Sequence, residues 1–444
     1  MLMPNRESKK EERRKKREAF FNDAEIWWDK LDNTAHIFPV IAGENMSNVY
    51  RISVILKEDI IPEKLQEALS MVLPKFKGFN VRLRQGLFWY YFEKNGKPAP
   101  TVREESYYPC RLIVPHKNRS YLFRVSYYKK KINLEVFHVL SDGMGSLAFL
   151  KELTYQYLRL VHPTLRDNHG DTLSSETSMN REDSFLSNFK KKAAKPYVSN
   201  RAFLIKGPRL TKNEVGILHG YMQVEQLKTL SRSLGVTINE LLVAVFTYSI
   251  YQEHLEEVKN NKAIRIAVPV NLRGFFDSIT TKNFFAVVSS EFHAARDNYT
   301  FEAVLEIVKA SLRNQITPDN LMKIVSYNVS NEKNLLIQVL PLEIKKLAMY
   351  YIFRKASLAN TSTISNLGNV VFKEEYAPYI DKCNAIIALS KGQNLKGIVC
   401  SYNGVLSYTF SSILVKPAIQ RRFFRKFVEL GVDVAVESNG VYDE

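Results

Sequence analysis

The sequence predicts an α+β protein built as two lobes of similar length. Three observations carry this. Strand-period and helix-period apolar patterns are mixed in both halves of the chain. A stretch from about 166 to 199 is rich in Ser, Asn, Asp and Lys, with few apolar residues apart from Phe185, Leu186 and Phe189, and reads as a linker or crossover. A chain of 444 residues is also too long for a single core at about 150 residues per domain. The expected organisation is a basic, disordered tail at 1–20, a first lobe at 21–165, the linker at 166–199 and a second lobe at 200–444.

Taken in order, residues 1–20 hold eight basic and four acidic side chains and almost nothing apolar, so they cannot bury enough surface to order themselves. Tyr50, Ile52, Val54 and Leu56 alternate as in a strand. Pro62 then opens a helix with an apolar stripe at Ile61, Leu65, Leu69, Val72 and Phe76. The aromatic and β-branched runs Phe88–Phe92 and Tyr121–Tyr127 read as strands. In the second lobe a helix at Val224–Leu234 stops at Gly235. Thr237 and Glu240 form a capping box ahead of the apolar run Leu241–Tyr251, which is too short to span a bilayer and reads as a buried helix. Strands follow at Ile264–Val270 and Phe284–Phe292, then a helix at about Phe301–Gln315 and a further helical region at about Glu332–Lys355. Asn403-Gly404 between two apolar runs signals a hairpin.

Composition narrows the function classes. Lys plus Arg is 63 and Asp plus Glu is 46, a net charge of +17 that points to an anionic partner. Three scattered cysteines, Cys110, Cys383 and Cys400, support neither a disulfide framework nor a zinc site, and a reducing, cytoplasmic setting is expected. No apolar leader opens the chain. Walker A, G-x-G-x-x-G, G-x-S-x-G, metal-spaced histidine pairs and RNP-like strands are all missing, so no metal and no nucleic-acid partner is expected.

The informative run is Lys131–Gly143. Strand alternation puts Ile132, Leu134, Val136 and His138 on one face. His138 is the last inward residue, at a strand end where a solvent channel can reach it, and histidine suits general-base work near neutral pH. Asp142 is too close in sequence to be a second base, and its expected role is to lock the loop through an ion pair. Gly143 permits the tight turn into a helix bearing Leu147, Leu150, Leu153 and Tyr157. The competing reading is a buried core histidine beside a capping aspartate.

Phe137-His138-Val-Leu-Ser-Asp142-Gly143 resembles the H-x-x-x-D-G signature of the coenzyme A-dependent acyltransferase superfamily, which includes chloramphenicol acetyltransferase and peptide-synthetase condensation domains. Many members carry two histidines; here Phe137 replaces the first, and the base position is kept. The stretches Leu31–Pro39 with Phe79–Tyr91, Val268–Arg273 with Thr281–Phe285, and Thr363–Gly368 resemble the bacterial alcohol acetyltransferase-like branch, over about residues 24–430.

The resemblance implies two chloramphenicol-acetyltransferase-like lobes, each a mostly antiparallel sheet with packed helices, and an active-site tunnel between them. It implies acyl transfer from acyl-coenzyme A to an alcohol-type acceptor, with His138 as base and no covalent acyl-enzyme. Asp142 would pair with an arginine of the N-terminal half, Arg82 or Arg84; both share a strand face, so spacing leaves the choice open. Ser365 and Asn366 are candidates for oxyanion support or for loop support. Asn271 and Arg273 would organise the tunnel or simply turn the chain. Asn283, with Phe284 and Phe285, would line the acceptor side, or the phenylalanines belong to the core. Gly145 and Gly368 would allow tight turns. Lys373, Lys391, Lys396 and Lys416 are candidates for the coenzyme's phosphates. A monomer is expected, with peripheral contact to acidic membrane through the tail left open. Two alternatives stand beside this reading: a carrier-protein-dependent condensation-type transferase, and a non-catalytic binding protein tethered by its tail.

Overall fold

The computed structural model describes residues 28–442, except 45, 166–184, 186–199, 257–260, 277, 279, 281, 296–297 and 334–337. The expected tail at 1–20 and nearly all of the expected linker lie outside the described residues.

The first lobe is a five-stranded sheet. Its order is β12 (Ile380–Ile387), β2 (Val49–Leu56), β7 (Lys131–Phe137), β6 (Phe123–Tyr128) and β5 (Arg103–Glu104), antiparallel except for β5–β6. The β2 and β7 strands are buried nearly throughout. Helices α2 (Pro62–Val72) and α3 (Gly143–Val161) pack against each other, and α3 packs on β2 and β7. A separate antiparallel ribbon joins β1 (Trp28–Lys30), β4 (Tyr90–Lys94) and β3 (Val81–Gln85), and a short helix α1 (Phe38–Ile41) precedes β2.

The second lobe is a seven-stranded sheet. Its order is β10 (Phe285–Phe292), β9 (Ile264–Asn271), β11 (Ser362–Val370), β13 (Leu395–Tyr402), β14 (Val405–Ser412), β8 (Gly216–Gln223) and β15 (Val434–Ser438). Only β11 runs parallel to its neighbours. Its helices are α4 (Val224–Ser233), α5 (Ile238–His254), α6 (Arg273–Phe276), α7 (Phe301–Gln315), α8 (Pro318–Lys333), α9 (Leu342–Ser357) and α10 (Ala418–Glu429). Helix α5 begins on the expected capping box: Thr237 Oγ1 accepts from the Glu240 N–H at 3.1 Å, and Glu240 Oε2 accepts from the Thr237 N–H at 2.7 Å. Its residues 241–247 are all buried. Asn403 and Gly404 both have positive φ, as a primed hairpin turn demands.

Two expectations change. The helical region expected about Glu332–Lys355 falls on two helices, the end of α8 and most of α9, and Pro341 stands at the N-cap of α9. Proline ends helical pairing on its N-terminal side, which the apolar periodicity across the break conceals. The lobes also exchange chain. Strand β12, from the C-terminal half, pairs with β2 at the edge of the first lobe's sheet and packs over β13 and β14. A split at 166–199 therefore does not separate the two sheets. Among the described residues two apolar clusters result, one per lobe. The inward face of β13 (Ile398, Cys400, Tyr402) joins the first, while Leu395 and Val399 on its other face join the second.

Candidate active site

Three loops meet where the lobes face each other. The first follows β7. The His138 N–H donates to the Asn48 carbonyl at 2.9 Å, which carries the ladder one residue past the strand, and the Leu140 N–H then turns back to the Phe137 carbonyl at 2.9 Å. His138 is half-buried, its ring stacked on Phe38 at 4.6 Å, edge-on to Tyr50 at 5.0 Å and tilted to Phe285 at 5.8 Å. Asp142 is the N-cap of α3 and accepts the Gly145 N–H at 3.2 Å. The Tyr50 hydroxyl lies 3.0 and 2.8 Å from the carbonyls of Ser141 and Asp142 and 2.6 Å from Ser146 Oγ, which anchors this loop to β2.

The second loop joins β9 to β10. Arg273 Nη2 pairs with Asp142 Oδ2 at 2.8 Å across the lobe boundary, with both side chains largely buried. The same guanidinium donates to the carbonyls of Thr280 (2.9 Å) and Lys282 (2.8 Å), and Asn271 Oδ1 accepts from the Arg273 N–H at 3.1 Å. The Phe284 N–H adds a further bond to Asp142 Oδ2 at 3.3 Å. A buried pair of this kind is stable because its remaining donors and acceptors are satisfied.

The third loop carries Asp32. Its carboxylate accepts from Asn283 Nδ2 at 2.8 Å, from the Asn283 N–H at 3.2 Å and from the Ala35 N–H at 2.8 Å. Asn283 Nδ2 also faces the His138 carbonyl at 3.3 Å, and Asn283 Oδ1 lies 3.0 Å from His138 Nδ1. These contacts decide the ring's tautomer. A group between a carboxylate and a carbonyl must be the amide's NH₂, so the amide oxygen faces the ring and Nδ1 must carry the proton. Nε2 is left with a lone pair. Burial pushes the His138 pKa below its ordinary value, against the pull of its own carbonyl, Asp142 and the Asn283 bond, and the Lys396 charge adds to the lowering. Burial therefore favours the neutral ring.

No family model and no curated protein sequence matches the chain. Solved structures do. TRI101 from F. sporotrichioides, complexed with coenzyme A and T-2, superposes with a TM-score of 0.62 at 11% identity, over 91% of this chain and 99% of that one. Polyketide synthase associated protein 5 from Mycobacterium tuberculosis gives 0.54 at 14% identity, over 89% and 96%. The first condensation domain of the CDA synthetase gives 0.53 at 11%, over 91% and 96%. The chain has the two-lobed fold of these structures.

On that fold the expected residues divide. His138, Asp142, Gly143, Asn271, Arg273 and Asn283 come together. Arg82 and Arg84 do not: both pair with Glu93 on the neighbouring strand, at 2.6 and 2.8 Å. The partner of Asp142 is Arg273, from the C-terminal half. Arg82 sits opposite Glu93 on the β3–β4 ribbon and Arg84, opposite Tyr91, is its diagonal neighbour, so cross-strand charge pairing satisfies both locally. Gly143 serves close approach rather than a tight turn. A Cβ there would overlap Leu367 Cδ2, where the second lobe's β11 abuts the start of α3. Asn366 Oδ1 accepts the Gly368 N–H at 2.7 Å and supports the bulge of β11 in which Gly368 has φ +73°. Ser365 is in register with Ile398 and so shares the lobe-facing side of the sheet with Lys396.

Three contributors escaped sequence reading, and a fourth was given another role. Asp32 lies 251 residues from Asn283, and no local pattern marks it. Tyr50 and Phe38 read as ordinary apolar positions. Lys396 was one of four lysines considered for phosphates; it is half-buried facing the other lobe, and burial holds its pKa down to about 8. The three cysteines are buried with their thiol pKa values raised, chiefly by burial, and offer no ready nucleophile.

Proposed function

We propose that this chain is an acyltransferase that moves an acetyl or other acyl group from acyl-coenzyme A to an alcohol-type acceptor. The observation that carries the reading is the Asp32–Asn283–His138 chain, which leaves a neutral imidazole with its Nε2 lone pair available between the lobes. Nε2 takes the proton of the acceptor hydroxyl as its oxygen attacks the thioester carbonyl. The tetrahedral intermediate then expels the coenzyme A thiolate, which receives the proton back from Nε2. No acyl-enzyme forms. A base with a lowered pKa is unprotonated at neutral pH, as the first step needs. Asp142 and Arg273 hold the loop and touch no substrate. Ser365 and Lys396 are the candidates to meet the oxyanion, since they share the face turned to the first lobe. The excess of basic residues favours an anionic donor such as coenzyme A.

The test is thiol release from acyl-coenzyme A of several chain lengths with alcohol, amine and sugar acceptors. His138→Ala should lower the rate by about 10²–10⁴, and an unchanged rate would remove His138 as the base. Condensation domains among the structural neighbours favour one second reading, transfer from a carrier-protein thioester. Transfer from acyl-carrier protein but not from acyl-coenzyme A would establish it instead.

A further inference from the structure

The exposed apolar surface of the protein is concentrated beside the site. Helix α9 has 16 residues, of which only Leu342, Lys345 and Ser357 are buried, and none joins either apolar core cluster. Its Leu347, Tyr351 and Ile352 are 75%, 68% and 63% exposed, with Ile344 and Tyr350 also exposed. Val339 and Leu340, just before it, are exposed as well. The tip of the β3–β4 ribbon extends this surface through Phe88 and Leu87, the latter 71% exposed. The two parts are fastened together. The Leu342 N–H donates to the Leu87 carbonyl at 2.9 Å, Lys345 Nζ donates to the Phe88 carbonyl at 3.1 Å, and the same ammonium sits 3.4 Å from the centre of the Trp89 ring.

A helix in a folded domain is ordinarily stabilised by turning its apolar stripe inward. This one leaves Ile344, Leu347, Tyr350, Tyr351 and Ile352 outward, and exposed apolar residues clustered on one element mark a contact surface. Its charges name the partner. The helix carries Lys345, Lys346, Arg354 and Lys355 against a single acid, Glu343, which already accepts from Gln85 and Lys346. Among the described residues Arg354 and Lys355 are exposed and have no acidic partner. Tyrosines and aliphatic side chains rimmed by unpaired cations match the boundary between acyl chains and anionic headgroups. Protein-interface cores, by contrast, are depleted in lysine. The net charge of +17 adds long-range attraction to the same target. Among the described residues no single helix is long and apolar enough to span a bilayer, so the contact is with its surface.

We propose that the outward face of α9, with Leu87 and Phe88, docks on an anionic lipid bilayer. The patch reaches the site through α1, on which α9 packs and whose Phe38 stacks on His138. A lipophilic alcohol drawn from the bilayer is then the acceptor class; that corollary rests on the proposed acyl transfer, while the docking does not.

The experiment is sedimentation of the full chain with phosphatidylcholine vesicles, with and without phosphatidylglycerol. Three variants accompany it: Leu347→Gln/Tyr351→Gln/Ile352→Gln, Arg354→Gln/Lys355→Gln, and deletion of residues 2–20. Circular dichroism and thermal melting verify each fold, and light scattering gives the size. The wild type should bind phosphatidylglycerol vesicles, and each α9 variant should bind roughly tenfold or more weakly, with the tail deletion keeping most of the binding. Undiminished binding by the folded triple variant overturns the proposal, as does equal binding to neutral vesicles. Loss of binding on tail deletion alone assigns the contact to the tail. A wild-type dimer that the triple variant converts to monomer assigns the face to a second copy. Vesicle binding needs no turnover, so it fails or succeeds independently of acyl transfer.

Discussion

Replacing Asn283 by alanine isolates the device that sets the His138 ring. The side chain joins His138 Nδ1 (3.0 Å), Asp32 (2.8 Å) and the His138 carbonyl (3.3 Å), and the variant removes all three contacts. Asp32 keeps the N–H groups of residues 35 and 283, so its charge remains anchored. A neutral hydrogen bond contributes about 1 kcal/mol net, and one to a carboxylate about 1.5–3 kcal/mol. The bond to the ring is the one the transition state feels. Its loss alone is worth about fivefold to tenfold in rate. It also frees the ring to place its proton on Nε2, where no lone pair faces the acceptor. The expected result is a fall in kcat of about 10- to 100-fold, with little change in KM for acyl-coenzyme A. The pH profile supplies a signature that general destabilisation does not. The Asn283 bond favours the imidazolium, so its loss lowers the His138 pKa further and moves the acid limb of kcat/KM to lower pH. Thiol release over a range of acyl-coenzyme A concentrations, measured across pH beside a melting curve, reads all three. A folded variant with wild-type kcat, or an acid limb displaced to higher pH, refutes the reasoning.

The remaining predictions use other parts of the site. Lys396→Met removes a cation that lowers the His138 pKa, so the acid limb should move to higher pH, opposite in sign to Asn283→Ala; a limb that stays put shows that the Lys396 charge does not reach the ring. Arg273→Met leaves a buried Asp142 uncompensated and should cost about 3–5 kcal/mol in denaturant melts, whereas Arg82→Ala, in a pair that is only part-buried, should cost about 1 kcal/mol or less. Gly143→Ala should destabilise by about 1–3 kcal/mol by overpacking against Leu367, and Leu367→Ala in the same chain should recover part of that loss. Burial lowers His36 to about 4 and His219 to about 3, so both stay neutral in the fold and bind protons more readily when unfolded. Their stabilisation is complete above the ordinary histidine value of 6.5 and is lost as pH falls toward 4 and then 3. Melting temperatures should therefore decline below pH 6.5, and a smaller decline in a folded His219→Asn variant checks the assignment.

Local chemistry made much of the architecture legible. Thr237 and Glu240 cap α5 as the spacing demands, Asn403-Gly404 turns its hairpin, and Pro62 opens α2, because each of these signals acts over a few residues. The strand alternation that put His138 on the inward face holds for the same reason. The helical region expected about Glu332–Lys355 carried no sign of which way its apolar residues turn, and in α9 they point outward. Periodicity reports which residues share a face but not which way that face turns.

The site divides along the same line. His138 and Asp142 were readable because their geometry depends on a strand end and a helix cap contained in one short run of sequence. The partners of that run were not. Arg273 rather than Arg82 or Arg84 meets Asp142, and Asp32 fixes Asn283 across 251 residues. The exchange of β12 between the lobes is a choice of the same kind. The two-lobed α+β character, the basic charge and the histidine at the strand end were settled by the sequence itself, since composition and short-range periodicity act on neighbours. Which arginine, which tautomer and which outward face were decided only by the tertiary structure, because ion pairs and hydrogen bonds depend on distances in space that loops and lobe packing set.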